Sequence, residues 1–261
     1  MTTRPVEICK LCKRKAPLCE SHFLPKLAYK QNCGFSEEVF TDYSDFDKSY
    51  IHLGKSDYQE KRRALCRECE DRFQTSESFV ARLARPRSEK CLRTMLAEKG
   101  LEDLCEDGST IGLDQVDPSL KHFEYFAYSV FWRASAIRWP NRNECYDKLG
   151  CYEEKIRCYL LENRVIKSPF YLLVSALVET DANHMRPEFP IHFRVKMRDP
   201  PSVNTSWRFG IPGVKFQLLI KPASEIQTSI PAAKTEFCIN RARLPKEVVP
   251  PETLSQMKFN F

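Results

Sequence analysis

No apolar run in this chain is long enough to span a bilayer: the longest strongly apolar stretch, YLLVSALV at 171–178, is less than half of what a membrane-spanning helix needs. The opening residues, MTTRPVEICK, are polar and do not resemble a secretory signal. These two absences predict a soluble, cytoplasmic protein with no membrane partner. There is no internal repeat and no low-complexity tract, so the chain is not a repeat array. Residues 119–261 also lack any grouping of carboxylates, histidines or phosphate-cradling glycines that would mark a site, and His122, His184 and His192 stand alone there. What the chain has in quantity is cysteine, 12 in 261 residues. Without a secretory signal, these read as reduced thiols and metal ligands rather than a disulfide framework. The 42% apolar content is enough to build a real core. Most of the +6 net charge falls in the first hundred residues, so a polyanionic partner would meet that end.

Pattern divides the chain into segments. Residues 31–60 mix aromatic and acidic residues with little period and read as a mobile insertion with some strand character. After Leu65, the positions of Phe73, Phe79, Val80 and Leu83 suit an amphipathic helix. Pro86 interrupts it and can open another helix, RSEKCLRTMLAEK, which Gly100 would end. The acidic, Gly-containing stretch that closes at 118 reads as a linker over 101–118. Beyond it, Phe123, Phe126, Ala127, Val130, Phe131, Ala134 and Ile137 recur at helical spacing and form one apolar face. A further helix is expected in 150–165. From SPFYLLVSALVET onward, runs rich in β-branched and aromatic residues bounded by Pro, Gly and Asn read as strands of a mostly antiparallel sheet.

Cys9 and Cys12 form one C-x-x-C pair, and Cys66 and Cys69 another. Two residues between thiolates let both sulfurs turn toward one cation, and two such knuckles complete a tetrahedral zinc site. With all four positions filled by protein, that Zn2+ would hold the fold and do no chemistry. The plainer alternative is that either pair is coincidental or redox-active, but neither sits in the strand-then-helix setting of a thioredoxin. Cys19 and His22 also have ligand-like spacing, so a Cys9/Cys12/Cys19/His22 site is a second assignment. The cysteines at 33, 91, 105, 145, 151, 158 and 238 lack comparable partners and read as small apolar fillers.

If zinc joins the two knuckles, the chain between them passes through 18–25 and returns, which brings Ser21 and His22 close to Glu70. The arrangement C-x-x-C, then ESHFLPK, then LCRECE, resembles the HNH, or ββα-metal, endonuclease superfamily over residues 1–80. The resemblance is to its zinc-stapled subgroup, whose members read S-H-I-I-P and L-C-x-x-C-E. It implies an N-terminal HNH-like unit in which His22 is the general base that takes a proton from the attacking water. Glu70 falls at the position of a ligand for a catalytic Mg2+ or Mn2+ ion. Ser21 stands where many members carry a metal-binding aspartate, so the ion's further ligand could be Ser21, Glu20, Asp71, a backbone carbonyl or water. Glu77, two turns beyond Glu70 on roughly the same face, could reinforce the site through water or a neighbouring side chain, but the helical rise keeps both carboxylates from readily sharing one ion directly. FAYSVFWRASAIRW resembles an F-A-x-S-x-x-W-R stretch found downstream of the nuclease motif in related proteins, which implies shared architecture without assigning it a task.

A nuclease must hold a polyanion. Arg62, Arg63 and Arg72, with Arg82, Arg85 and Arg87, are the candidate nucleic-acid-binding residues, backed by Lys13, Arg14, Lys15, Lys61, Lys90 and Arg93. They would neutralise phosphates without reading sequence. The expected fold is α+β: an HNH-like zinc-bound unit over 1–100, the linker, and an α+β C-terminal domain over 119–261 with a recognition, oligomerisation or regulatory role. The expected function is metal-dependent hydrolysis of DNA, with RNA open as a second substrate, in a phage-defence or mobile-element setting. The alternative is a catalytically inactive, zinc-stabilised nucleic-acid-binding module. A third is a protein-interaction scaffold.

Overall fold

In a computed structural model, residues 6–24, 39–41, 51–53, 61–84, 90–101, 110–139, 149–164, 166, 170–177, 188–198, 201–211, 213–220 and 234–240 are described. The fold is α+β. It begins with β1 (Val6–Ile8) and β2 (Lys15–His22), an antiparallel pair in which Val6 faces Pro17 and Ile8 faces Lys15. The CKLC turn between them is closed by the Cys9 amide donating to the Arg14 carbonyl (2.9 Å) and the Lys13 amide donating to the Cys9 carbonyl (2.9 Å). Lys13 takes a left-handed φ of 61°, which brings the chain back into β2.

β5 (Lys61–Cys66) pairs with the other side of β2. Leu18 faces Cys66 and Cys19 faces Leu65. Between Cys19 and Glu20 the register slips, and beyond it Glu20, Ser21 and His22 face Arg63, Arg62 and Lys61. Ala64 is the extra residue of this bulge, and its carbonyl accepts from the Lys10 amide of the first knuckle (2.9 Å). Helix α1 (Arg67–Leu83) follows β5 directly. Its buried positions, Cys69, Phe73, Ser76, Val80 and Leu83, run in steps of three and four, so one stripe faces inward. Of the 31–60 insertion, β3 (Val39–Thr41) and β4 (Ile51–Leu53) form a short antiparallel pair. The mobility expected there falls largely outside the described residues.

The expected second helix appears as α2 (Leu92–Leu96), and its last turn widens over Ala97–Leu101. Gly100, at φ 79°, ends it. Pro86 lies outside the described residues. Residues 110–120, within and just past the stretch whose composition reads as linker, hold strand β6 (Ile111–Gly112) and two 3-10 turns. The second turn is fixed by the Asp117 carboxylate, which accepts from the Ser119 amide (2.8 Å) with Pro118 at the first position.

Helix α3 (Lys121–Ala136) is buried on nearly every side from Phe126 to Ala134. A helix buried all round lies inside a molecule. On one side it meets α1, where Ser76 Oγ and His122 Nδ1 lie 3.0 Å apart and the His122 ring lies 4.8 Å from Phe79. On another it meets helix α4 (Glu153–Glu162), whose Tyr159 ring packs on Tyr125 and Tyr128. On a third, Phe126 and Phe131 pack on Phe209, and Phe126 also packs on Phe216.

Those last two phenylalanines belong to a six-stranded sheet ordered β6-β11-β7-β10-β9-β8. Its longer strands are β7 (Phe170–Leu177), β8 (Glu188–Arg198), β9 (Pro201–Ile211), β10 (Val214–Ile220) and β11 (Lys234–Asn240). Every pairing is antiparallel except β11 against β7. β10 alternates buried and half-buried positions, so one face of the sheet meets α3. One apolar core runs from Cys9 and Leu11 through α1 and α3 to Phe209, Phe216 and Phe237. Among the described residues no helix is long and apolar enough to cross a membrane.

Candidate functional site

The two C-x-x-C pairs meet. The Sγ atoms of Cys9, Cys12, Cys66 and Cys69 all lie within 4.8 Å of one another. The Cys12 and Cys66 sulfurs are 3.8 Å apart, about the edge of a tetrahedron whose metal–sulfur bonds are about 2.3 Å. The turn of the first knuckle and the start of α1 aim backbone amides at these sulfurs. The Cys66 amide donates to Cys9 Sγ (3.3 Å), and the amides of Leu11 and Cys12 also face that atom. A proton on the Cys69 thiol turned toward Cys9, with these amides, pulls the Cys9 thiol down to about 4. Cys69, the hydrogen-bond donor, is held in its protonated form, while burial raises Cys66. The amides that face Cys9 thus favour its thiolate, the form that binds metal. The donor set and its spacing fit a tetrahedral structural metal such as zinc. Cys19 and His22 do not belong to this group. Cys19 sits opposite Leu65 in the β2–β5 pair, while the Cys66 and Cys69 sulfurs take the two places that the other assignment gave to Cys19 and His22.

Gathering the sulfurs seats the start of α1 against the end of β2. Ser21 is fully buried there and turns its hydroxyl toward the Glu70 carboxylate. The approach is looser than a hydrogen bond: Ser21 Oγ and Glu70 Oε1 are both buried with no hydrogen-bond partner among the described residues. Burial pushes the Glu70 carboxyl above its ordinary value, against the Ser21 hydroxyl and the positive charge of Arg133, which pull it down. The charge on Glu77 pushes the same way as burial. His22, the last residue of β2, is half-buried, with Nε2 inside the protein. The two residues after it, Phe23 and Leu24, are fully buried, and the Phe23 ring meets the edge of Trp139 at 4.7 Å.

Sequence reasoning did not place Arg133 here. It projects from α3, is 1% exposed, and donates to the His22 carbonyl (3.2 Å) and to Glu77 Oε1 (2.8 Å). Further bonds run to the Ser129 carbonyl (3.3 Å) and hydroxyl (3.2 Å), and the guanidinium lies over the Phe73 ring at 5.1 Å. Ser129 and Arg133 are the S and R of the F-A-x-S-x-x-W-R stretch. The signal was visible, but its target lies 111 positions earlier.

The basic residues divide by position. Lys61, Arg62 and Arg63 are exposed on the edge strand β5, in register with His22, Ser21 and Glu20. Arg72 is exposed on α1, but its guanidinium bonds the Leu161 carbonyl (3.0 Å) and approaches Glu68 (3.8 Å). Arg82 is exposed further along and covers the Phe79 ring at 5.2 Å. Arg14 pairs with Glu68. Arg85 and Arg87 lie outside the described residues, as does His184. No protein-family model, no curated protein and no solved structure matches this chain.

Proposed function

We propose that the chain is a metal-dependent DNA endonuclease of HNH type, built on a zinc-stapled N-terminal unit. The observation that carries this reading is the convergence of the four cysteine sulfurs together with Ser21, the neighbour of His22 on β2, turned toward Glu70 at the start of α1. Cys9, Cys12, Cys66 and Cys69 hold a structural Zn2+ that keeps these two elements in contact. His22 accepts the proton of a water attacking phosphorus; a neutral imidazole does this near physiological pH. Glu70 supplies a carboxylate oxygen with no hydrogen-bond partner among the described residues, and Ser21 a hydroxyl in the same condition. Oxygen donors of this kind suit a hard cation. A Mg2+ or Mn2+ ion bound at Glu70 would neutralise charge on the phosphate and the leaving oxygen. Lys61, Arg62 and Arg63 take up backbone phosphates along the exposed strand that faces His22, while Arg72 and Arg82 extend the positive surface along α1.

The test is nicking of supercoiled plasmid in Mg2+ or Mn2+ by the wild-type protein and by His22→Ala. Loss of general-base assistance is expected to slow cleavage by about 10²–10⁴-fold while duplex binding persists. Salt-sensitive duplex binding with no cleavage in any divalent metal would sink the nuclease reading and leave a zinc-held nucleic-acid-binding module. Absence of binding as well would leave a scaffold.

A further inference from the structure

We propose that Arg133 is the positioning residue of the candidate phosphodiesterase site, borne on α3 and holding the His22 end of β2 at a fixed angle to α1. This rests on the nuclease reading above. The geometry is a closed circuit. The guanidinium reaches the His22 carbonyl with one terminal nitrogen and Glu77 with the other, so one planar group ties β2 to α1. Ser129, one turn back, orients that group. Its hydroxyl donates to the Phe126 carbonyl (2.7 Å), and both the hydroxyl and its own carbonyl accept from Arg133. The Arg133 carbonyl in turn accepts from the Trp139 indole N–H (3.1 Å), and the Trp139 ring lies against Phe23, the neighbour of His22. The His22–Phe23 segment is therefore gripped twice, through a carbonyl by Arg133 of α3 and through a ring by Trp139 just beyond that helix.

Apolar contacts alone would hold these elements together, since Phe23, Phe73 and Trp139 are all buried. They would not set an angle, because the hydrophobic effect is non-directional. Burying a guanidinium is costly even beside one carboxylate, and replacing such groups by apolar ones is often neutral or stabilising. What the fork supplies is direction: its donors are fixed in one plane, and lysine, with one nitrogen, cannot serve both acceptors in the same way. A carbonyl held at residue 22 sets the backbone from which the imidazole projects. Displacing a reacting group by about 1 Å can cost about 10²-fold in rate.

The test uses the full chain with two substitutions, Arg133→Lys and the milder Ser129→Ala. For each, zinc content, thermal melting, kcat and KM for a labelled duplex in Mn2+, and the His22 imidazole resonances in selectively labelled protein are measured. Both variants are expected to remain folded and metal-loaded with KM within about twofold, while kcat falls about 10–100-fold and the His22 resonances shift or broaden. A kcat equal to wild type with unmoved His22 resonances overturns the proposal. So does a rate loss that tracks the folded or metal-loaded fraction in both variants, because Arg133 is then only a strut. If the wild-type protein itself does not cleave, the nuclease reading fails separately, and the His22 resonances alone decide whether Arg133 positions that residue.

Discussion

Ser21 and Glu70 face each other at the seam of β2 and α1, each with a buried oxygen that has no hydrogen-bond partner among the described residues. Such atoms ordinarily cost stability, because a buried polar group that loses water without gaining a partner keeps its desolvation penalty. Two opposite outcomes follow for stability and for metal response. Ser21→Ala removes a hydroxyl with no hydrogen-bond partner among the described residues, so the stability without added divalent ion, read from thermal melting, is expected to change by less than about 1 kcal/mol in either direction. If the hydroxyl serves a cation, the same variant binds Mn2+ more weakly in a calorimetric titration. For Glu70 the sign comes from its raised pKa. The folded state holds the Glu70 proton more tightly than the unfolded state, so ionising it above that raised value penalises folding. Glu70→Gln is therefore expected to melt higher than wild type near neutral pH without divalent ion. The advantage fades as pH falls through the carboxylate range, where wild type is protonated too. Any rise in melting temperature that Mn2+ gives wild type should be missing from this variant. A variant that melts lower at neutral pH would mean the carboxylate is held by contacts that outweigh its burial.

At the scale of elements, the β2–β5–α1 unit owes its shape to two short turns whose cysteines are separated by more than fifty positions. The metal expected there is one per chain by elemental analysis. Cys66→Ser should lose it together with much of the cooperative melting of the unit, since metal binding and folding are the same free energy in such sites. Full metal content in that variant would count against the four-sulfur site. This unit was largely legible in the sequence. Ligand spacing is local, and the stripe from Cys69 to Leu83 needs only helical periodicity. The apolar face of α3 and the strands from Phe170 to Ile220 were legible for the same reason. What escaped depends on pairing across the chain. The bulge at Ala64 exists only in the register of β5 against β2. β11 carries Lys, Thr and Glu among its apolar residues and is completed by a parallel partner more than sixty positions away. Arg133 reads as one charge near the end of an apolar helix until its acceptors on β2 and α1 are known.

Across the whole molecule, residues after 119 close around the knuckles rather than hanging from them. Arg72 of α1 bonds the Leu161 carbonyl near the end of α4, and Tyr125 of α3 donates to the neighbouring Leu160 carbonyl (2.7 Å). A third tie is Arg157 of α4, which donates to the carbonyl of Leu11 inside the CKLC turn, between Cys9 and Cys12 (2.6 Å). Its side chain is 13% exposed and its other terminal nitrogen is paired with Glu154, which together with that carbonyl fixes its direction. The Leu11 side chain is fully buried, so the turn sits inside the core and opening it to release metal would have to disturb this contact. Arg157→Ala is expected to destabilise the protein by about 1–3 kcal/mol, the range for losing a charged hydrogen bond to a part-buried acceptor. It should also speed transfer of the metal to a chromophoric chelator, whereas Lys155→Ala, an exposed change on the same helix, should leave the transfer rate alone. Equal transfer rates in Arg157→Ala and wild type would show that the four sulfurs close the knuckle unaided. Faster transfer would instead make the C-terminal half a determinant of how long the N-terminal metal stays, and so of how long β2 and α1 remain in register.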